Sequence, residues 1–260
     1  MPYKVIFFDM DGTLLNEQKQ IPEDTRKALR QLRDSGIHTV IATGRSPFHV
    51  RKLAEDLEIE TLVCFNGAYV EHKGEVVYST PIDVHSIEKL YQLVMARNHA
   101  LVYLSDDSFY ATHEGNEMVN RAVSSILFDP PGMDAEVFRN KPIYQCWLHC
   151  AEGEEGVYEQ DDTLQNVRFF RWHDVSLDVM PKDGSKAKGI EALLQHLTVD
   201  RSEAIAFGDG KNDIEMIQFV GMGVAMGNAH PDVFPHANYV TKHVDEGGIS
   251  HALKELNILL

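Results

Sequence analysis

The chain has 260 residues, 43% hydrophobic and 25% charged, the balance of an ordinary globular protein with room for one or two domains. Its 24 basic and 40 acidic residues leave a formal charge of −16, which argues against nucleic acid and anionic membranes as partners, since both demand a basic footprint. Three cysteines, Cys64, Cys146 and Cys150, are too few for a disulfide scaffold and fit a reducing compartment. No apolar run is long enough to span a bilayer, and Met1 leads straight into the first apolar run, so no signal peptide and a cytoplasmic location are expected.

The first third alternates strand and helix. Residues 4–8 read as a buried strand, a continuous apolar run ending at Asp9-Met10-Asp11-Gly12-Thr13, where Gly12 lets the chain turn and Thr13 can cap the next segment. Pro22-Glu23-Asp24 suits a helix first turn, Ala28, Leu29 and Leu32 give that helix an apolar stripe, and Gly36 ends it. A strand over 38–42 ends at Thr43-Gly44-Arg45; a helix over 50–57 and a strand over 61–65 come next.

The last third repeats the alternation. A helix over 189–197 precedes a strand over 204–207 that ends at Gly208-Asp209-Gly210. Then come a helix over 213–220, short strands over 223–226 and 238–240, and a closing helix over 249–256. Such alternation implies parallel strands with right-handed crossovers.

The middle differs. Helices over 84–98 and 117–126 and strands over 101–104, 108–112, 143–151, 167–171 and 176–179 suggest an antiparallel sheet with helices on one face. Turn-rich Ser79-Thr80-Pro81 and Pro181-Lys182-Asp183-Gly184 read as linkers. The fold class expected is thus α/β, a doubly wound, mainly parallel core of residues 1–81 and 182–260 with an inserted α+β domain of residues 82–181. If 143–151 is a strand, Cys146 and Cys150 share one face, as a packed pair or as zinc ligands without the further ligands zinc requires.

Four strand-end features can converge on one edge of a parallel sheet: Asp9 with Asp11, Thr43 with Gly44, Lys186, and Asp209 to Asp213. Ligands of open α/β sheets bind beyond the carboxyl ends of the strands. Carboxylates without thiols or imidazoles suit a hard cation, Mg²⁺ by default. A hydroxyl, backbone amides and a lysine can bind phosphate oxygens, and phosphoryl transfer asks mostly for positioning and charge neutralisation. Each feature alone also has an ordinary structural reading: a turn, a capped loop, a surface lysine or an acid at a helix start.

Taken in order, Asp9-Met10-Asp11-Gly12-Thr13-Leu14, Ile41-Ala42-Thr43-Gly44-Arg45, Ser185-Lys186-Ala187-Lys188-Gly189-Ile190 and Gly208-Asp209-Gly210-Lys211-Asn212-Asp213 resemble the four motifs of the haloacid dehalogenase (HAD) superfamily of phosphohydrolases. The insert resembles the family's C2B cap of subclass IIB, as do Asn66-Gly67-Ala68 and residues 223–229. The resemblance implies Mg²⁺-dependent hydrolysis of a small phosphomonoester, with sugar phosphates, nucleotides, flavin mononucleotide and pyridoxal phosphate as candidates. It makes Asp9 the nucleophile and a metal ligand, and Asp11 the general acid and then base, binding metal through its backbone carbonyl. Asp209 is a second metal ligand, and Asp213 a ligand directly or through water. Met10, Thr43, Gly44, Asn212 and Lys186 contact the phosphate, with Lys188 the competitor of Lys186. Metal on Asp9 would depress its pKa while Asp11, off the metal, sits higher.

A phosphomutase using the same nucleophile and a non-catalytic phosphate sensor are the alternative functions. Arg45 could reach the site or form a surface salt bridge. Trp147, His149, His113, Arg139, Arg171 and His173 are candidates for selecting the leaving group. Asp232-Val233-Phe234-Pro235 departs from relatives that carry a lysine there, which bears on surface chemistry. Oligomeric state is not legible.

Overall fold

A computed structural model describes residues 3–126 and 128–259; Met1, on which the expectation of no leader rests, lies outside them. Packing divides the chain into two compact units, Met1–Ser79 with Ser185–Leu260, and Thr80–Gly184.

The first unit opens with β1 (Val5–Phe8), α1 (Glu23–Asp34), β2 (His38–Ala42), α2 (Pro47–Leu57) and β3 (Thr61–Cys64). β4 (Tyr69–His72) and β5 (Glu75–Ser79) then form a hairpin. The sequence reading passed over that hairpin, although two strand-like runs flank a two-residue Lys73-Gly74 turn. Both turn residues have positive φ, 52° and 81°.

The second unit holds α3 (Val84–Ala96), β6 (Ala100–Leu104), β7 (Phe109–Ala111), α4 (Glu117–Ser125), β8 (Gly132–Met133), β9 (Gln145–His149), α5 (Gly156–Glu159), β10 (Val167–His173) and β11 (Ser176–Pro181). The chain returns to the first unit with α6 (Lys186–Leu197), β12 (Ala204–Gly208), α7 (Ile214–Phe219), β13 (Met222–Ala225), β14 (Tyr239–Val240) and α8 (Gly248–Glu255).

The first unit's sheet has eight strands in the order β14-β13-β12-β1-β2-β3-β4-β5. Strands β14 to β3 pair in parallel, and the β3–β4 and β4–β5 pairings are antiparallel. β1 is central, between β2 and β12, and its four residues are fully buried. Val5 and Phe7 join Val40, Ala42, Val63, Ala204 and Ala206 in a core that Ile190, Leu193 and Leu194 of α6 and Met216 and Ile217 of α7 cover. Each such side chain contributes on the order of 1.5–3 kcal/mol by leaving water. The order reverses at β1, so the ends of β1, β2 and β12 define the switch point where ligands of doubly wound sheets bind.

The second unit's sheet runs β10-β11-β9-β6-β7-β8, antiparallel except for β7 with β8. Leu101, Tyr103, Cys146, Leu148, Cys150, Leu177 and Val179 face Ile87, Leu90 and Val94 of α3. Cys146 and Cys150 are therefore packed, free thiols, and burial pushes both up. Alternation puts Trp147 on the other face, where its ring meets Phe109, Phe128 and Trp172 at centroid distances of 6.1, 6.3 and 5.7 Å.

Three boundaries differ from expectation where chemistry sits. β3 stops at Cys64, because Phe65 and Asn66 turn left-handed at φ 51° and 50°. α6 starts at Lys186 rather than three residues later. A 3₁₀ turn over Lys211–Asp213 precedes α7, which starts at Ile214.

Candidate active site

The end of β1 delivers Asp9, the end of β12 delivers Asp209, and the following turn delivers Asp213. One carboxylate oxygen from each lies within 4.8 Å of the others. Lys186, fully buried at the first position of α6, donates from Nζ to Asp9 and, at 2.5 Å, to Asp213 Oδ1. Asp213 Oδ2 accepts from the backbone N–H groups of Asp209 (2.9 Å) and Gly210 (2.8 Å). The oxygens of Asp213 are thus committed to protein donors, which suits orienting neighbours more than leading at a cation. Thr13 caps no helix; its hydroxyl donates to Asp209 Oδ1 at 2.8 Å.

Backbone geometry allows this crowding. Gly12 has φ +85°, and a Cβ there would fall 2.2 Å from an Asp209 carboxylate oxygen. A Cβ on Gly208 would strike Asp213 at 2.5 Å. Only glycine suits either position. Asn228 reinforces the first turn, donating from Nδ2 to the Gly12 carbonyl at 2.7 Å while its Oδ1 accepts from Val244 N–H.

A second group lies at the end of β2. Thr43 is buried, its carbonyl accepts from Asn66 N–H (3.0 Å), and its hydroxyl accepts from Arg45 N–H (3.1 Å). Asn66 Oδ1 accepts from Asn212 Nδ2 at 2.9 Å, linking this turn to the one that carries Asp213. A Cβ on Gly44 would come within 3.0 Å of the Asn66 amide. Met10 contributes backbone, its carbonyl accepting from Leu15 N–H, and its side chain is buried in the core. Lys188 is exposed, whereas Lys186 is buried against Asp9 and Asp213.

Asp11 departs from the arrangement expected for it. Its carboxylate lies outside the acidic cluster and accepts from Arg45 and Lys19. Burial raises its pKa, but the Arg45 guanidinium and Lys19 outweigh burial and hold it below the ordinary value. Asp9 goes the other way: burial, then Asp213 and Asp209, hold it well above, against the pull of Lys186. Burial also pushes Asp209 up to about 6, with Thr13 opposing and Asp213 assisting. Burial lowers Lys186, yet Asp213 and Asp9 prevail and its ammonium is held above the usual value. The buried Asp9 and Asp213 share one ammonium with the half-buried Asp209 beside them, while Asp11 has two cations near it.

An all-oxygen donor set with surplus negative charge fits a hard divalent cation, with Asp9 and Asp209 best placed to hold it. Sequence reasoning missed Thr13, Asn66, Asn228 and Lys19 as members of this neighbourhood. The Asn66-Gly67 and Gly227-Asn228 pairs signalled unusual backbone, but Lys19 gave no signal.

In the second unit, Trp147 lies in its aromatic cluster and His149 is fully buried, with neither ring nitrogen hydrogen-bonded. Arg139 pairs with Glu88, Arg171 with Glu155 and His173 with Asp174. Asp232 pairs with Lys211.

The four motifs and the central switch point correspond to a known architecture, and haloacid dehalogenase-like hydrolases match residues 6–253. The chain belongs to that family. It is 40% identical over 259 residues to a Bacillus subtilis (strain 168) protein named "Putative phosphatase YkrA", covering 100% of both. It is 30% identical to 5-amino-6-(5-phospho-D-ribitylamino)uracil phosphatase YitU of the same organism, covering 98% of this chain and 97% of the other. Among solved structures, a protein from Geobacillus kaustophilus HTA426 superposes with a TM-score of 0.95 at 43% identity, covering 99% and 100%. The HAD subclass IIB sugar phosphatase BT4131 superposes at 0.85 with 31% identity, covering 98% and 100%. The chain is thus a HAD phosphatase of the IIB type, and its second unit is the inserted α+β cap.

Proposed function

We propose that this chain hydrolyses small phosphomonoesters with Mg²⁺, through a phosphoryl group carried on Asp9. The observation that carries the reading is Lys186 Nζ bridging Asp9 and Asp213, with an Asp209 oxygen in the same cluster. Mg²⁺, held by Asp9, Asp209 and the Asp11 carbonyl with Asp213 behind, would neutralise charge on the phosphoryl group.

Asp9 attacks phosphorus in line while Lys186, the Thr43 hydroxyl, Asn212 and the Met10 and Gly44 N–H groups hold the phosphate oxygens. The bond from phosphorus to the ester oxygen breaks. Its electron pair goes to that oxygen, which takes a proton from Asp11 and departs as an alcohol. Asp11, now a carboxylate, takes a proton from water as the water attacks phosphorus. Asp9 is released as a carboxylate, and inorganic phosphate leaves.

The names of the relatives support phosphorylated sugars and sugar-alcohol derivatives as the first substrates to try, with nucleotides, flavin mononucleotide and pyridoxal phosphate beside them. Among the described residues no helix is long and apolar enough to cross a membrane. With three free buried thiols, we place the protein in the cytoplasm. Phosphate release from a panel of monoesters, with Mg²⁺ and with chelator, tests the reading. Release that requires Mg²⁺ supports it, and release unchanged by chelator contradicts it.

A further inference from the structure

Arg45 and Asp11 are 34 residues apart, yet they meet through a two-point fork: Nε donates to Oδ2 at 2.9 Å and Nη2 to Oδ1 at 2.7 Å. Such pairing fixes both the place and the plane of a carboxylate, which a lysine cannot do. The pair is only partly screened, since the side chains are 24% and 38% exposed. The Arg45 backbone is itself anchored: its N–H reaches the Thr43 hydroxyl, and its carbonyl accepts from Phe65 N–H at 3.0 Å. Lys19 adds a second contact, Nζ to Asp11 Oδ1 at 2.7 Å. It does so from a left-handed backbone at φ 57°, a conformation that costs a non-glycine residue on the order of 1 kcal/mol and clusters at functional sites.

We propose that Arg45 is a positioning residue for proton transfer, holding the Asp11 carboxyl where it meets the leaving-group oxygen, with Lys19 as a second anchor. The inference rests on the acid role proposed for Asp11. When the ester oxygen takes the proton from Asp11, a carboxylate is left behind. Arg45 and Lys19 hold that carboxylate in place and keep it aimed. With a proton on Oδ1, Oδ2 still has the lone pairs to accept from Nε, which keeps the group aimed through the cycle.

Two esters separate this role from phosphate binding or simple structural support. One is the alkyl monoester from the panel with the highest kcat/KM, whose alkoxide must be protonated to leave. The other is 2,4-dinitrophenyl phosphate, whose phenolate leaves without a proton. The ratio kcat/KM reports the step in which the leaving group departs. Arg45→Gln is expected to lose about 10–100-fold on the alkyl ester, within the range of general acid catalysis, and less than about threefold on the dinitrophenyl ester. Arg45→Lys, which keeps the charge without the fork, should fall between Arg45→Gln and wild type on the alkyl ester. Equal losses on both esters, or none on either, overturn the inference. Asp11→Asn run beside them separates the two levels. If it discriminates between the esters and Arg45→Gln does not, the positioning role alone fails. If Asp11→Asn does not discriminate, the acid assignment fails and the inference falls with it.

Discussion

Both units bury polar side chains, but they treat them differently. In the catalytic core Asp9, Asp213, Lys186 and Thr13 are all buried, and each has a named partner across tens or hundreds of residues of sequence. In the cap some buried polar atoms are paired, as Ser86 is with Asp83 and Thr112 with Leu101 N–H, but others stand alone. Among the described residues, every buried side-chain nitrogen or oxygen without a hydrogen bond belongs to Gln145, His149, Arg168, Trp172 or Ser176. An unpaired buried polar group costs about 1–3 kcal/mol, so the cap sheet carries a burden that the core avoids. The core concentrates charge and resolves it within the fold, while the cap holds polar groups that its own residues leave unsatisfied.

The sharpest way to test the core's half is Asp9→Asn. Removing a covalent nucleophile should cut turnover by about 10⁴–10⁶-fold without loss of fold, read by phosphate release beside circular dichroism. Lys186→Met comes second. It leaves three close carboxylates without their ammonium and should cost about 3–5 kcal/mol in urea denaturation, with activity lost as well. A change within about 1 kcal/mol would mean the cluster is not held by that charge.

The cap's half predicts the opposite sign. Burial pulls His149 down to about 4 from 6.5, so the folded cap keeps it neutral while the unfolded chain takes up a proton. That depressed pKa contributes stability above pH 6.5, which is lost as pH falls from 6.5 towards 4. His149→Leu removes two buried ring nitrogens and this titration together. It should raise stability by about 1–2 kcal/mol at about pH 7 and flatten the fall below about pH 6.5, measured by thermal unfolding across that range. Destabilisation at every pH would show that His149 has partners after all. The smallest effect is expected for Arg121→Ala, which removes an exposed pair with Asp174 and should change stability by less than about 1 kcal/mol.

The same contrast explains what the sequence disclosed. The acids of the core sit at strand ends with glycines beside them, so Asp9, Asp209 and Asp213 could be read from local pattern, as could the parallel alternation around them. The spacing to Ile190 favours Lys186 over Lys188, and α6 buries Lys186 with Gly189 and Ile190 while Lys188 faces out. The β4–β5 hairpin was missed because its strands come after an unexpected left-handed turn at Phe65 and Asn66. Arg45 was legible as a residue that could reach the site, but its pairing with Asp11 and the arrival of Lys19 were not, since the two come from separate loops and neither loop has a period or spacing that aims a side chain. In the cap, alternation correctly set Trp147 and His149 opposite Cys146 and Leu148. Pairing of polar groups depends on neighbours from other strands, which no local pattern supplies.

The central claim is that Asp9 carries the phosphoryl group. Rapid acid quench during turnover of the best panel substrate, with mass spectrometry of the Asp9 peptide, tests it directly. A phosphorylated Asp9 that forms within the first turnover, decays with phosphate release and is absent from Asp9→Asn is the expected result. Wild-type turnover with no phosphoryl group on that peptide, and activity retained in Asp9→Asn, would contradict it.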